Sequence, residues 1–372
     1  MHISHLPTPA LLVDLDVLEA NIAHAAARAR TLGVAWRPHG KTHKCGDIAR
    51  MQLEAGAIGL AASTLAEARA FASAGTRDLV WAVPVPADRV TEALDLAADL
   101  AALGCRFHLL VDHPAAAARL AEDGRTASVL LKVDCGSHRA GVDPLDPASV
   151  EMAAGIAGHP HLQFAGILAH AGHAYGCRSR EEAMAVAAEE RDVTAAFAAR
   201  LRTAGIQVPA VGVGSTPTVA AVDHLEGITE IRPGNNVFHD AFQVAIGTCT
   251  LDDVAVSVLA TVTGRHPARD AVVLDAGSLA LSADPGPRHV DPDCGYGVLL
   301  DLEGAPLAPL RLAGLTQEHA VVRGPVPDGS LTWGSRVRVV PNHACLAVAC
   351  HERIHAVRRG WVAATWPIAR GW

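Results

Sequence analysis

The sequence predicts an α/β fold in which a (β/α)8 TIM barrel is followed by a separate C-terminal β domain. From residue 8 to about residue 237, short β-type runs alternate with Ala-rich helical stretches, which is typical of a parallel sheet built from βα units. After about residue 248 the pattern changes to alternating and β-branched runs without long helices. We therefore assign residues 8–247 to the barrel and residues 248–372 to the β domain. Segment 1–7 is expected to be part of the β domain as well.

The barrel prediction depends on the number of βα units. The first strand is predicted at residues 11–14, and the helix after it begins with Asp16 and Glu19 at capping-box spacing. Helices are predicted at residues 64–74 and 180–204. About eight such units favour a closed barrel over an open doubly wound sheet, and no G-x-G-x-x-G motif follows a strand. The further predicted strands are 34–37, 58–61, 79–83, 107–111, 129–133, 164–170, 210–213 and 228–232.

The β domain is predicted from short runs of alternating and β-branched residues. Strands are expected at residues 254–262, 271–274, 336–340 and 354–357. At 372 residues the chain also exceeds the length at which one hydrophobic core usually stops growing, so two domains are expected.

Composition narrows the class of function. The net charge is −8 and no Lys/Arg cluster occurs, which argues against nucleic acid or anionic lipid as a partner and favours a small-molecule substrate. The eight cysteines form no C-x-x-C framework, as expected of reduced thiols. The apolar runs are too short to cross a bilayer, and no secretory signal is visible at the amino terminus. We expect a cytoplasmic protein.

Lysine is rare in this chain, which draws attention to Lys41. The only lysines are Lys41, Lys44 and Lys132. Lys41 follows a predicted strand, at the barrel face where active sites are assembled, and a lysine there can form a Schiff base with an aldehyde cofactor. Arg37 and Lys44 are expected to favour its neutral amine, although a solvated loop lysine is the alternative. Lys132 falls within a predicted strand, where a buried lysine needs a partner, and Arg139 or a nearby carboxylate network is the expected setting. We therefore interpret Lys132 as structural support.

Two other short motifs have chemistry of their own. Gly214, Ser215 and Thr216 close a strand and open a helix, so they can offer N–H groups, hydroxyls and a helix dipole to a phosphate; an ordinary turn with an N-cap is the alternative.

His343 and Cys345 are two residues apart at the end of a predicted strand, where both would project on one face. Nitrogen and sulfur ligands favour zinc, while a buried cysteine beside a surface histidine is the alternative.

The segment 37–44, Arg-Pro-His-Gly-Lys-Thr-His-Lys, follows Thr-Pro-Ala-Leu-Leu-Val-Asp at 8–14 and resembles the cofactor-lysine segment of the D-serine dehydratase and D-threonine aldolase group. This group belongs to the alanine racemase-like, fold-type III enzymes that use pyridoxal 5′-phosphate (PLP). One departure is Asn236, where relatives often carry an aromatic residue, which leaves the substrate size near that loop open. The resemblance recurs in order at 133–142, 170–176, 214–218, 232–235 and 341–345.

The resemblance implies roles for individual residues. PLP would be held by Lys41, its phosphate by Gly214, Ser215 and Thr216, and its ring by His170 packing flat on it. Arg139 would hydrogen-bond the phenolic oxygen, and Tyr175 would contact the ring nitrogen or the substrate. His343 and Cys345 would bind a divalent metal, with Mn²⁺ or Mg²⁺ as alternatives to Zn²⁺. His319, as a catalytic residue, and Asp275 lie in segments that resemble family motifs near the metal.

The resemblance also implies a reaction. D-serine dehydratases carry His-x-Cys where the aldolases typically carry His-x-Asp, so Cys345 favours dehydration of D-serine, D-threonine or D-threo-3-hydroxyaspartate to a 2-oxo acid and ammonia. Retro-aldol cleavage to glycine and an aldehyde is the alternative. A racemase is disfavoured because racemisation needs a second base on the opposite face, often a tyrosine of the β domain, and Tyr296 is the only tyrosine available there. A non-catalytic PLP carrier is disfavoured because such proteins end with the barrel. A homodimer is implied, with the β domain of one subunit facing the barrel mouth of the other.

Overall fold

The structure is a computed structural model that describes residues 1–327 and 329–372. It divides into two compact units. The barrel unit comprises His24–Lys41, Cys45–Gly234 and Gly371–Trp372, and the β unit comprises Met1–Ala23, Thr42–Lys44 and Asn235–Arg370. The chain begins with strand β1 (Ala10–Asp14) and helix α1 (Leu15–Thr31).

The barrel unit contains eight parallel strands in the order β2-β9-β8-β7-β6-β5-β4-β3. The two end strands are joined by the backbone: Gly40 N–H donates to Ala61 O at 2.8 Å, and Ala61 N–H donates to Pro38 O at 2.9 Å. The predicted TIM barrel is thereby confirmed. The strands are β2 (Ala35–Trp36), β3 (Leu60–Ala62), β4 (Asp78–Pro84), β5 (Arg106–Val111), β6 (Ala127–Lys132), β7 (Leu162–Leu168), β8 (Ala210–Val213) and β9 (Glu230–Ile231).

Apolar side chains from five consecutive strands fill the centre of the barrel. They form one buried cluster because successive parallel strands direct alternate residues inward. The cluster includes Leu168, the last residue of β7. Because apolar side chains fill the barrel up to this point, a ligand has to bind beyond it, at the carboxyl ends of the strands. The cluster consists of Ala61, Val80, Leu110, Leu130 and Leu168.

Helices follow the barrel strands as a βα pattern requires. Thr64 and Ser179 accept hydrogen bonds from backbone N–H groups and so cap the two helices that were predicted near residues 64–74 and 180–204. The helices are α2 (Gly46–Glu54), α3 (Leu65–Ser73), α4 (Val90–Ala102), α5 (Pro114–Glu122), α6 (Pro147–Gly158), α7 (Arg180–Thr203) and α8 (Thr216–Ala221).

The β unit is built on a nine-stranded sheet with the path β13-β14-β11-β10-β1-β16-β17, in which β15 also pairs with β10 and β12. All pairs are antiparallel except β1 with β16. Its helices are α9 (Ala241–Ala245), α10 (Ser278–Leu281) and α11 (Ala344–Cys350). The strands are β10 (Val256–His266), β11 (Ala271–Leu274), β12 (Gly297–Leu300), β13 (Arg311–Leu315), β14 (Ala320–Arg323), β15 (Arg336–Pro341), β16 (Arg353–Arg358) and β17 (Trp361–Pro367).

The first strand departs from the sequence prediction. We expected residues 11–14 to open the barrel, but Leu11 pairs with Val258 and Val13 pairs with Ala356, so β1 belongs to the β unit. The boundary at 8–247 is corrected accordingly, because Met1–Ala23 and everything from Asn235 to Arg370 lies in the β unit. Because β1 is apolar from Ala10 to Val13, it fits the middle of either sheet, and its composition does not specify its partner.

The start of α1 is also corrected. Asp14, rather than Asp16, caps the helix, because its Oδ1 accepts the N–H groups of Asp16 at 3.0 Å and of Val17 at 3.2 Å. Within the part of the chain that the structure describes, no helix is both long and apolar enough to cross a membrane.

Candidate active site

A cavity of about 260 Å³ lies at the carboxyl ends of the barrel strands. Lys41, which follows β2, and His170, which follows β7, both line it. This is the end at which TIM barrels assemble their active sites. Arg139, Lys132, Gly214 and Arg232 also lie in the wall, so the cavity brings together residues from five of the predicted motifs.

The cavity has a strongly positive lining. Lys41, Lys132, Arg139 and Arg232 all contribute to its wall, and none of the described lining residues is acidic. A cleft lined by charges of one sign attracts ligands of the opposite sign. The lining therefore fits an anionic ligand, and PLP, which carries a phosphate and a phenolic oxygen, has that character.

Arg232 lies in the motif at residues 232–235, but the sequence alone assigns it no role. Its guanidinium forms an ion pair with Glu230, whereas its Nε and Nη1 atoms are buried without a hydrogen-bond partner among the described residues. Gly212 permits this position, since an added Cβ there would lie 2.9 Å from Arg232 Nε. Unpaired buried donors in a cavity wall indicate that a ligand supplies the missing acceptor, and this observation supports the fit of PLP.

The structure changes the expectation for two cations near Lys41. Arg37, expected to act on Lys41, instead donates to Asp78 Oδ1 at 2.5 Å and to Glu230, so its charge is matched inside the barrel. Lys132, interpreted as structural support, lines the cavity itself. Burial is the main cause that lowers the pKa of Lys132 to about 8.

His170 is held as a neutral imidazole. Burial, followed by the nearby charges of Lys41, Lys132 and Arg139, lowers the pKa of His170 to about 3. Its Nδ1 lies 3.4 Å from the carbonyl oxygen of Gly214. Because that oxygen can only accept, Nδ1 donates in this contact and the ring orientation is defined.

The turn at Gly214–Thr216 differs in detail from the phosphate-binding turn that we expected. Gly214 lines the cavity and has φ +111°, a conformation that favours glycine. However, its N–H donates to Glu190 Oε1 at 3.1 Å, and the N–H of Ser215 donates to Thr218 Oγ1 at 2.9 Å. These two amides are therefore already used within the protein, and the phosphate-binding role of Gly214, Ser215 and Thr216 stays a prediction.

Glu190 of α7 is a residue that the sequence did not reveal. Its Oε1 accepts the N–H groups of Ala171 at 2.8 Å and of Gly214 at 3.1 Å, and its Oε2 accepts the hydroxyl of Thr218 at 3.0 Å. Burial raises the pKa of this carboxyl, while these donors oppose the rise. Glu190 thus ties the loop after β7 to the loop after β8, from which His170 and Gly214 line the cavity.

The remaining predicted residues fall in different settings. Tyr175 lies in a short 3-10 helix and is partly exposed. Asp275 accepts hydrogen bonds from the Thr8 hydroxyl at 2.5 Å and from the Thr261 N–H at 2.7 Å, so its carboxylate holds these two segments of the β unit together. His319 is exposed in the turn between β13 and β14, so its catalytic role stays a prediction. The partly exposed Asn236 also stays unassigned.

The His343 and Cys345 pair lies in the β unit, directly after β15. The extended geometry that we expected is wrong, because His343 is the N-cap residue of α11 and Cys345 lies in its first turn. The two side chains still meet: burial alone would lower the pKa of His343, but hydrogen bonds with Asp284 and Cys345 raise it to about 10. Cys345 Sγ also lies 3.2 Å from Thr42 Oγ1.

Imidazole and thiol together are a donor set that suits zinc. Among the described residues, no group of three or more His, Cys, Asp or Glu side chains is placed to share an ion. The pair would therefore supply two ligands and leave the other positions open, which fits a metal that acts on a substrate rather than a closed structural site.

Comparison with known families agrees with these features. The family model described as alanine racemase, N-terminal domain, matches residues 13–241, more than half of the chain. The chain belongs to this alanine racemase-like family. A serine dehydratase domain model matches residues 255–357, in the β unit. The resemblance noted in the sequence is thus confirmed in both parts of the chain.

Three relatives match nearly the whole length of this chain. D-threo-3-hydroxyaspartate dehydratase of Delftia sp. (strain HT23) is 38% identical over 99% of this chain and 98% of its own length, and its solved structure matches with a TM-score of 0.95 over 100% of both chains. D-serine dehydratase of Dictyostelium discoideum is 34% identical over 95% and 94% of the two chains. D-threonine aldolase of an Arthrobacter species is 31% identical over 99% and 94%.

The Delftia enzyme has also been solved as variants. The cysteine-to-alanine variant, which matches this chain with a TM-score of 0.94, is described as being in the metal-free form. The histidine-to-alanine variant matches with a TM-score of 0.92. The altered histidine and cysteine of that protein are two positions apart, which is also the spacing of His343 and Cys345.

Proposed function

We propose that this protein is a lyase that uses PLP and a divalent metal ion to dehydrate β-hydroxy-D-amino acids to 2-oxo acids and ammonia. The observation that carries the proposal is the cavity at the barrel end, where Lys41 stands among the cations Lys132, Arg139 and Arg232. The three relatives support it, because each is named for an activity on a β-hydroxy-D-amino acid.

The barrel residues would hold PLP from several sides. Lys41 Nζ would form the Schiff base with the cofactor aldehyde, while Arg139 and Arg232 would donate hydrogen bonds to its acceptor atoms. His170 would pack against the ring as a neutral imidazole, Tyr175 would contact the ring nitrogen or the substrate, and the phosphate-binding residues would be Gly214, Ser215 and Thr216. When bound, PLP supplies an electron sink for the electron pair that remains after the α-proton is removed.

Lys41 would have a second task besides holding the cofactor. Its Nζ, as a free amine, would accept the proton from the substrate α-carbon. Loss of the β-hydroxyl as water, followed by hydrolysis of the resulting enamine, gives the 2-oxo acid and ammonia. Arg139 and Arg232, with their positive charges, would stabilise the anionic groups of the bound reactants during these steps.

His343 and Cys345 would hold the metal ion. The imidazole nitrogen and thiolate sulfur favour zinc, with Mn²⁺ or Mg²⁺ as the alternatives. The metal supplies Lewis-acid assistance to departure of the β-hydroxyl. The metal-free cysteine variant of the Delftia enzyme supports Cys345 as a ligand.

A second candidate function is retro-aldol cleavage to glycine and an aldehyde, which the match to the Arthrobacter aldolase favours. Incubation with D-serine, D-threonine and D-threo-3-hydroxyaspartate distinguishes the two reactions. We expect 2-oxo acid and ammonia from at least one of them. Release of glycine faster than 2-oxo acid would replace the dehydratase by an aldolase, and turnover of none of them would reject both.

We further propose a homodimer in which the β unit of one subunit faces the barrel mouth of the other, as the family resemblance implies. Sedimentation of the purified protein at several concentrations tests it. A monomer at all concentrations would contradict the proposal.

A further inference from the structure

Asp284 makes a direct contact with one nitrogen of His343. Its Oδ2 lies 3.0 Å from His343 Nδ1. An aspartate in contact with a positive or hydrogen-donating group is ionised at neutral pH and can then only accept a hydrogen bond. Asp284 therefore holds a hydrogen on Nδ1, which leaves Nε2 as the nitrogen that can release its proton and bind an ion.

Asp284 is itself fixed in a tight turn. Its Oδ1 accepts the N–H of Gly286 at 2.8 Å, and its backbone oxygen accepts Asn342 Nδ2 at 3.0 Å. Asn342 is almost fully buried, with 2% of its surface exposed, and it directly precedes His343. Gly286 has φ +70°, and an added Cβ there would lie 2.5 Å from Asn342 Nδ2, so the turn needs glycine. The Asp-Pro-Gly turn and the His343 segment are thus locked to each other.

A second carboxylate fixes the backbone of the same segment. Asp240 Oδ2 accepts the N–H of Ala344, the residue between His343 and Cys345, at 2.8 Å. Asp240 is 1% exposed and its Oδ1 also accepts the N–H of Gln243 at 3.0 Å, which caps α9. The ring and the backbone of the His-x-Cys segment are therefore held by two separate side chains before any ion binds.

From this arrangement we propose that Asp284 is a positioning residue for the metal: it holds Nδ1 of His343 in its protonated form and turns Nε2 toward the ion. The inference rests on the proposed function, because it takes His343 and Cys345 as the ligands. A carboxylate that accepts the second N–H of a metal-binding histidine fixes the ring and increases the basicity of the ligating nitrogen, and its loss typically weakens metal binding 10- to 100-fold.

Zinc affinity of the purified, PLP-loaded protein, measured by competition with a chromophoric chelator, tests the proposal. Asp284→Ala should weaken zinc binding by about 10- to 100-fold. Asp284→Asn should lose less, because the amide oxygen can still accept from Nδ1–H. Asp293→Ala is the matched control, since Asp293 is an exposed aspartate of the same unit, and it should bind zinc as the wild type does.

Each outcome has one meaning. Unchanged zinc affinity in folded Asp284→Ala overturns the role of Asp284. If that variant does not fold, Asp284→Asn decides: it should still bind zinc more weakly than the wild type, because the negative charge that makes the ligating nitrogen more basic is lost, and unchanged zinc affinity contradicts the proposal. His343→Ala is a separate arm: if it keeps wild-type zinc affinity, the proposed ligand pair is wrong, whatever Asp284 does.

Discussion

Glu190 Oε1 accepts the backbone N–H of Gly214 at 3.1 Å, in a part of the barrel from which water is excluded. Glu190→Ala would leave this N–H and that of Ala171 without an acceptor, and the Thr218 hydroxyl would keep only its contacts with Ser215. An unsatisfied buried donor costs about 1–3 kcal/mol. We expect a lower free energy of unfolding, measured in urea, and faster loss of PLP on dialysis, since both loops that Glu190 joins carry cavity residues.

The neighbouring Glu189 provides the control for this variant. Its side chain is 55% exposed and lies 3.8 Å from His173, so Glu189→Ala should change stability by no more than about 0.5 kcal/mol. Glu190→Gln should be milder than Glu190→Ala, because one acceptor oxygen remains. PLP retention as strong in Glu190→Ala as in the wild type would show that the two loops do not depend on this carboxylate.

The visible absorption band of lysine-bound PLP depends on one residue. Lys41→Ala should abolish the band that borohydride bleaches, because Lys41 is the cavity lysine that the family resemblance assigns to the imine. Lys44→Ala should keep it. Lys132→Ala should also keep the band, although its position in the cavity wall predicts weaker retention of the cofactor. A borohydride-sensitive band in Lys41→Ala would remove the basis of the assignment.

Acid should destabilise the barrel through Asp78. Burial would raise the pKa of this carboxyl, but His108 and Arg37 outweigh it and lower the pKa to about 2. The unfolded value is about 3.9, so the stabilisation is fully present above pH 4 and is lost as the pH falls toward 2. Asp78→Asn should remove this part of the acid dependence.

At neutral pH the same variant leaves Arg37 with one carboxylate fewer, and breaking a buried pair typically costs about 3–5 kcal/mol. Urea unfolding at pH 7 and pH 3 measures both effects. Asp99→Asn is the control, since Asp99 is 69% exposed in its pair with Arg69 and should contribute at most about 1 kcal/mol. Equal stability of Asp78→Asn and the wild type at pH 7 would contradict the expectation.

Cys345 should decide which metal binds. The purified protein should contain zinc, and a strong chelator should remove its activity but not its PLP band. Cys345→Asp should prefer a harder ion such as manganese, because carboxylate oxygen suits it better than thiolate does. Cys350→Ser, a change in the same helix, should leave the metal preference unchanged. Full activity of the wild type without metal would reject the pair as ligands.

The sequence predicted the barrel well because each of its eight strands has a run of β-type residues bounded by turn signals. It failed for β1, since the partners of an apolar strand depend on contacts far along the chain, here with β10 and β16. The His-x-Cys pair was found by residue type, but its geometry was wrong because α11 begins immediately after His343.

The residues that hold the site in place were harder to predict than those that line it. Glu190 and Asp284 look like ordinary surface residues in sequence, and they act on residues 24 and 59 positions away. The Asp-Pro-Gly turn at Asp284 was the one available signal, because this tripeptide forms tight turns. It indicated a turn, however, and not the histidine that the turn supports.

The placement of β1 has a consequence for the order of synthesis. This strand leaves the ribosome before any of the barrel strands, yet it lies between β10 and β16, which are made after all of them. At roughly 5–20 residues per second the wait for β10 is on the order of 12–50 seconds. Throughout that time the barrel strands can assemble. The apolar residues Leu11, Leu12 and Val13, however, have no neighbouring strand to pair with, because β10 and β16 have not yet been made. The β unit is thus completed last, and a nascent chain that stops before Val256 keeps an orphan strand that chaperones can recognise.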